Sequence, residues 1–279
     1  MPTAAIVTNK TKDPDFLITK KVAGILNEKY SIIYDNDFDL ENIHTMYRKA
    51  EVIIVLGGDG TLLGAAGYAS VFGKPILGIN LGNLGFMADV EINDLEKALT
   101  AFMQGDYKIE HRFMIDAVIE KPSGEKEEFS ALNDVLVTRA SYQRMVAFDV
   151  SVNGDHLASY QGDGLVVSTP TGSTAYSMSA GGPVVDPTLN ACVITPVCPH
   201  TMSSKPVIVP GDAKIEIRFK STFDDMAMVT GDGQTGIRLS EGDIITIKGS
   251  KKTTGLIKLF NKSFYEILNR KLQPSPDHR

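Results

Sequence analysis

The apolar positions of the chain fall into two textures. In the first hundred residues, short β-branched runs alternate with stretches at helical spacing. Ala4 to Thr8 reads as a buried strand, and Ile18, Val22, Ile25 and Leu26 follow at helical spacing after Pro14. Ser31 to Tyr34 reads as a second strand. An acidic loop, Asp35 to Asp39, leads to a helix around Glu41 to Ala50. Next comes Val52-Ile53-Ile54-Val55-Leu56, an apolar run that enters Gly57-Gly58-Asp59-Gly60-Thr61 directly. Such a run suits a strand buried on both faces of a parallel sheet. Pro75 to Asn80 repeats the theme and ends in a second glycine loop, Asn80 to Phe86. Ile92, Leu95, Leu99 and Phe102 then mark an amphipathic helix. Strand, helix, strand, helix, strand is the order of a Rossmann-like parallel sheet with right-handed crossovers.

From Tyr107 the runs become short, alternating or β-branched, and are parted by turn residues. They are Phe113 to Ile119, Ala131 to Thr138, Met145 to Val152, Leu165 to Ser168, Val207 to Val209, Ile215 to Phe219, Met226 to Thr230, Ile244 to Ile247 and Leu256 to Leu259. This half predicts a mostly antiparallel all-β domain. Phe264, Ile267, Leu268 and Leu272 predict a last helix that returns to the first domain, and Gln273 to Arg279 reads as a disordered tail. The expected division is residues 1–105 as the α/β domain, 106–262 as the β-rich domain and 263–279 as helix and tail.

Composition narrows the function classes. A formal charge of −6, from 28 basic and 34 acidic residues, disfavours nonspecific binding to nucleic acid or anionic membranes. No apolar run approaches the ~20 residues of a membrane helix, and the N-terminus lacks the pattern of a signal peptide, so a cytoplasmic location is the default expectation. The two cysteines, Cys192 and Cys198, lack zinc-ligand spacing.

Asp59 is the first chemical candidate. It stands where a buried strand meets its glycine turn, the edge at which open α/β sheets bind ligands, and helix amides beginning near Thr61 can face a phosphate there. Gly-Gly-Asp-Gly is equally compatible with a plain tight turn. No lysine follows these glycines as a Walker loop requires, and Leu63 occupies the place of the last glycine of a dinucleotide fingerprint. The second candidate is the run Gln161 to Pro183, the densest in hydroxyls and glycines. Its pattern predicts a short helix from about Thr174 to Gly181, with amides and hydroxyls for a phosphate or ribose and Tyr176 for stacking on a base. A well-capped surface helix fits the same pattern. Asn133-Asp134 interrupts an apolar strand and is either a site or a strand end facing water. His200 reads as structural, and Asp232 in Thr230-Gly231-Asp232-Gly233-Gln234 resembles a hairpin turn as much as a site.

Gly57-Gly58-Asp59-Gly60-Thr61, Asn133-Asp134, the Asp163 to Pro183 run, Thr195 to His200 and Asp232-Gly233-Gln234 together closely resemble the NAD kinase family in order and spacing, over roughly residues 50 to 236. The glycine motif alone is shared with diacylglycerol kinases and, more loosely, phosphofructokinases; the long second motif is far more specific. The resemblance implies phosphoryl transfer from ATP to the adenosine 2′-hydroxyl of NAD, with Asp59 as proton acceptor and a divalent metal, magnesium, bridging the donor phosphates. It places Gly60, Asn133, Asp134, Thr174, Ala175, Tyr176, Ser177, Met178 and Ser179 on NAD, with Tyr176 beside the adenine. Arg144, Gln161, Cys198 and Gln234 occupy further contact positions. Asp163 corresponds to a residue that reaches the dinucleotide across a subunit interface, which implies a homodimer or homotetramer. Asp134 replaces the commoner Glu, and Asp186 stands where His is frequent. The competing readings are a lipid or small-alcohol kinase of the same superfamily, which would need an apolar acceptor cavity, and a non-catalytic dinucleotide sensor, which would tolerate loss of Asp59. Strand polarity puts the expected site in the crevice between the two halves.

Overall fold

The computed structural model describes residues 1–35, 40–82, 85–140, 145–200, 204–220, 227–234, 236–260 and 262–272. The chain divides into two compact units, Met1–Arg112 joined by the chain from Lys252 onward, and Phe113–Lys251.

In the first unit, strands Ser31–Tyr34, Thr3–Thr8, Val52–Gly57 and Ile76–Asn80 lie side by side in that order, all parallel. All six residues of Val52–Gly57 are buried, as a central strand covered on both faces requires. Helices Leu17–Leu26, Leu40–Lys49 and Asp59–Val71 supply the crossovers, and Leu95–Gln104 follows the last of these strands. Val22, Leu26, Leu95, Leu99 and Phe102 close one core against Ile6, Ile54, Leu56 and Leu77. The first helix starts because the Asp13 carboxylate takes the amides of Ile18 and Thr19 at 3.2 and 2.9 Å and the Thr19 hydroxyl at 2.7 Å, satisfying donors that a helix start leaves open.

The last helix, Phe264–Leu272, belongs to this unit, as its apolar spacing predicts. Two acids hold the returning chain. Asp89 accepts the amides of Leu259 and Phe260 at 2.8 and 3.1 Å, and Glu91 lies 3.1 Å from Lys262 and 3.5 Å from Arg270. The Phe264 ring packs on Phe86, with ring centroids 6.1 Å apart.

The second unit is built of antiparallel strands. One six-stranded sheet runs in the order Val207–Pro210, Ala191–Val197, Gly164–Ser168, Asp134–Arg139, Ala227–Gly231, Ile237–Leu239. A second layer pairs Asp155–Gly162, Val146–Val152, Ile215–Lys220 and the start of Ile244–Lys258. Their inward residues, among them Phe148, Phe219, Val135, Val167, Ile194 and Ile217, form one apolar core.

Three sequence expectations change. The runs Ile244 to Ile247 and Leu256 to Leu259 are parts of one fifteen-residue strand, Ile244–Lys258. The polar Lys248 to Thr253 between them hides its strand character because neither face there carries the apolar alternation the reading relied on. The helix expected from Thr174 to Gly181 is instead a 3-10 turn, Gly172–Thr174, a non-helical Ala175 and a single turn, Tyr176–Ser179. Its hydroxyls bond nearby groups in place of supporting a longer helix. Asp155–Gly162 and Ala191–Val197 are strands that the sequence pattern did not predict. The tail from Gln273, most of the acidic loop after Asp35, Asn83 and Leu84 of the second glycine loop, and Met226 lie outside the described residues.

Candidate active site

In the first unit, the buried strand Val52–Gly57 delivers Asp59 to the start of helix Asp59–Val71, two residues earlier than the sequence suggests for the helix start. The carboxylate is held from the neighbouring loop. Asp59 Oδ2 accepts the Phe86 amide at 2.8 Å, and Oδ1 accepts the Met87 amide at 3.2 Å. A Cβ at Gly85 would collide with this carboxylate, which is why the second glycine loop needs a glycine at that point. Both glycine loops therefore meet on one acid, and Phe86 links it to the returning helix. The two loops are laced further by the Leu81 amide on the Gly57 carbonyl at 2.8 Å.

The second unit builds a different constellation. Leu132 and Asn133 interrupt the strands, so the polar pair stands at a strand end, with Asp134 opening the next strand. Two turns clamp this segment. The Asp232 carboxylate accepts the amides of Leu132, Asn133 and Asp134 at 2.8, 2.7 and 3.3 Å. From the other side the Thr169 hydroxyl donates to the Leu132 carbonyl at 2.6 Å, and the Thr169 amide donates to the Asn133 carbonyl at 2.8 Å. Gly172 lies so close to the Asn133 backbone that any Cβ would overlap it, the physical reason for glycine in Thr169-Pro170-Thr171-Gly172. Asn133 Oδ1 is buried with no hydrogen-bond donor among the described residues. An orphaned buried acceptor is costly and marks a place where a ligand N–H would be stabilising.

The hydroxyl-rich run is partly spent on its own architecture. Ser173 and Ser177 are fully buried. Ser173 Oγ donates to the Pro170 carbonyl at 2.6 Å and accepts the Val185 amide at 2.9 Å, while Ser177 Oγ lies 2.9 Å from Thr195 Oγ1. Tyr176 is 44% exposed, open enough for a face to be covered by a ligand. Thr174, Ala175 and Met178 are half-buried, and Ser179, Gln161, Cys198 and Gln234 are exposed. Cys198 carries a left-handed φ of 46°. Asp163 is paired with Arg139 at 3.2 Å. Arg144 lies outside the described residues.

Asp134 and Asp232 form a buried acidic pair. Burial first, then the neighbouring Asp232 charge, pushes Asp134 up to about 7. Burial also raises Asp232, against the three amides that favour its charged form. Asp232 therefore holds the negative charge and Asp134 takes the proton. Because Asp134 binds its proton more tightly folded than unfolded, its own contribution to native stability falls as pH rises from about 4 to about 7 and levels off above. Asp134→Asn removes that penalty. The variant is expected to gain stability over wild type across this window, by on the order of 3 kcal/mol at its upper end. Urea unfolding at a series of pH values checks it; a difference that stays constant with pH would disprove the assignment.

The geometry brings two further residues to these segments. Asp232 reads in the sequence as a hairpin turn as much as a site, with no sign that it orders the whole Leu132–Asp134 segment. Lys12, in Asn9-Lys10-Thr11-Lys12-Asp13, lies beside both glycine loops. Its only signal is its place after the first strand, at the same sheet edge as Asp59.

The chain carries a parallel α/β unit with an amide-held acid at its strand edge, followed by a β unit with a clamped Asn-Asp segment. Comparison with known proteins gives it a family. Residues 6–107 match the model of the ATP-NAD kinase N-terminal domain, and residues 132–259 that of the ATP-NAD kinase C-terminal domain. The NAD kinase of Caldanaerobacter subterraneus subsp. tengcongensis is 39% identical over 281 residues, covering 98% of this chain and 99% of the relative. That of Clostridium perfringens is 39% identical over 279 residues with the same coverage. The crystal structure of an NAD kinase from Archaeoglobus fulgidus in complex with ATP superposes with a TM-score of 0.76 at 26% identity, covering 96% of this chain and 98% of that one. The yeast NADH kinase complexed with NADH shares the fold, with a TM-score of 0.84 at 22% identity, covering 100% of this chain and 89% of that one. The chain belongs to the NAD kinase family. No helix among the described residues is long and apolar enough to cross a membrane.

Proposed function

We propose that this enzyme transfers the γ-phosphoryl group of ATP to the 2′-hydroxyl of the adenosine ribose of NAD, giving NADP and ADP. The observation that carries the mechanism is Asp59, fixed at the strand edge by the Phe86 and Met87 amides. Each of its oxygens keeps a lone pair beyond the amide it accepts. In the proposed step the ribose 2′-oxygen bonds to the γ-phosphorus as the bond from that phosphorus to the β–γ bridging oxygen breaks. ADP departs with the electron pair, and the hydroxyl proton passes to Asp59. Such a transfer depends on in-line positioning and charge stabilisation more than on covalent chemistry by the protein.

Asn133 and Asp134 are proposed to bind the dinucleotide. The orphaned Asn133 Oδ1 suits an N–H donor such as the adenine amino group. Tyr176 offers an exposed ring for the adenine face, and Gly60, Gln161, Asp163, Thr174 to Ser179, Cys198 and Gln234 complete the proposed contacts. Among the described residues no cluster of three carboxylate, histidine or cysteine ligands is placed to hold a metal ion. A resident metal centre does not fit these residues, and magnesium is proposed only as the partner that ATP brings as a substrate.

The test is an assay of purified protein with NAD, ATP and Mg²⁺, reading NADP through a dehydrogenase that ignores NAD, with and without chelator. NADP formation that the chelator abolishes is the expected result. NAD binding by calorimetry without any NADP would replace this reading with a dinucleotide sensor.

A further inference from the structure

We propose that Lys12 binds the phosphates of the donor nucleotide, as a residue of the phosphoryl-transfer machinery additional to Asp59. The inference rests on the kinase reading above and extends it to a segment outside the glycine motif. Lys12 Nζ lies 3.0 Å from where a Cβ of Gly58 would stand and 2.9 Å from where a Cβ of Gly82 would stand. The ammonium therefore occupies room that two glycines, one in each loop, leave open. Among the described residues it has no hydrogen-bond or ion-pair partner.

Its backbone, by contrast, is pinned. The Asn9 amide donates to the Leu56 carbonyl at 2.8 Å, and Asn9 Nδ2 donates to Thr61 Oγ1 at 3.0 Å, tying this loop to both ends of the glycine turn. Asn9 Oδ1 takes the Thr11 amide at 3.0 Å and the Thr11 hydroxyl at 2.6 Å. The Lys12 amide donates to the Asn9 carbonyl at 3.0 Å, and Asp13 caps the following helix. A loop held at both flanks presents one unpaired cation over two glycine faces.

That arrangement suits a polyanion. A triphosphate brought next to the Asp59 carboxylate meets like charge, on a chain whose net charge is already −6. A fixed ammonium offsets this, and its three donors are free to meet phosphate oxygens without geometric strain. The same phosphate chemistry exists in the NAD diphosphate. The donor is favoured because Lys12 belongs to the unit of the glycine loops, whereas Asn133, Asp134 and Tyr176 lie in the other.

The experiment measures steady-state kinetics of wild type, Lys12→Met and Lys12→Arg with ATP and NAD varied separately, alongside calorimetry with inorganic tripolyphosphate. In Lys12→Met, kcat/KM for ATP is expected to fall by about 10- to 100-fold and the KM for NAD to stay within about twofold. Lys12→Arg is expected to recover most of the loss, and tripolyphosphate is expected to bind Lys12→Met at least about fivefold more weakly than wild type. An unchanged kcat/KM for ATP, equal tripolyphosphate binding, or a rise confined to the KM for NAD would each overturn the assignment. So would a loss that falls equally on both substrates and is not recovered by arginine. Failure of wild type to form NADP would instead overturn the kinase reading, and the wild-type arm registers it separately.

Discussion

Asp59→Asn is expected to cut turnover by at least ~10²-fold while leaving NAD affinity within about tenfold of wild type. The asparagine is nearly isosteric, so the strand edge and its glycine contacts persist. What changes is chemical: an amide cannot take the proton of the attacking hydroxyl. It also offers one acceptor oxygen where the carboxylate offers two, so one of the Phe86 and Met87 amides loses its partner. That loss is expected to cost about 1–3 kcal/mol of stability. Initial rates, NAD calorimetry and urea unfolding on one preparation separate the two effects. Turnover equal to wild type would remove Asp59 from the chemistry, and lost NAD binding with unchanged stability would make it a binding residue.

The second large effect is expected at Asp232. Replacing it with alanine strips the acceptor from three consecutive amides, Leu132, Asn133 and Asp134, at a position whose φ of 54° already disfavours alanine. Relief of the like charge beside Asp134 offsets part of this. The net expectation is a stability loss of about 2–4 kcal/mol and a fall of at least ~10²-fold in kcat/KM for NAD, because Asn133 and Asp134 lose their fixed positions. Asp232→Asn tolerates the same backbone and keeps one acceptor oxygen, so it should fall between the two. Chemical denaturation and kinetics with NAD varied provide the check. Wild-type kinetics in Asp232→Ala would show that the clip shapes the turn and not the site.

How much of this was legible in the sequence depends on the physical signal each element carries. The α/β unit was readable because its central strands are buried on both faces, so Val52 to Leu56 appears as an unbroken apolar run ending in glycine and Ile76 to Ile79 as a run interrupted only by Gly78 and ending at Asn80. Asp59 was readable for the same reason, since the end of such a strand fixes its place. The sheet edges of the second unit were harder. Asp155–Gly162 shows no alternation over its first four residues, where its register shifts between His156 and Ala158, so its strand character comes from pairing with Val146–Val152 and not from local pattern.

The same logic separates the candidate site residues. Asn133 and Asp134 stood out because a polar pair in an apolar run is costly without partners; the structure puts the pair at a strand end, where the Asp232 carboxylate holds its backbone amides and Asn133 Oδ1 stays without a donor among the described residues. Asp232 read as a hairpin turn as much as a site, and its partners were hidden because a hundred residues of chain separate it from the amides it holds. Ser173 and Ser177 carried the look of ligand hydroxyls, yet both are buried in hydrogen bonds to their own fold. Lys12 was silent, a single cation in a polar loop whose neighbours become visible only once the strands are side by side.

The central claim is that Asp59 directs a phosphoryl group onto the ribose 2′-hydroxyl of NAD. Phosphorus NMR of the product made from NAD and ATP tests it most directly, run with wild type and with Asp59→Asn. One new monoester resonance assigned to the adenosine 2′-position is expected, growing in step with ADP for wild type and absent over the same time for the variant. Inorganic phosphate and ADP forming with NAD unmodified, or the same 2′-monoester from both proteins at equal rates, would contradict it.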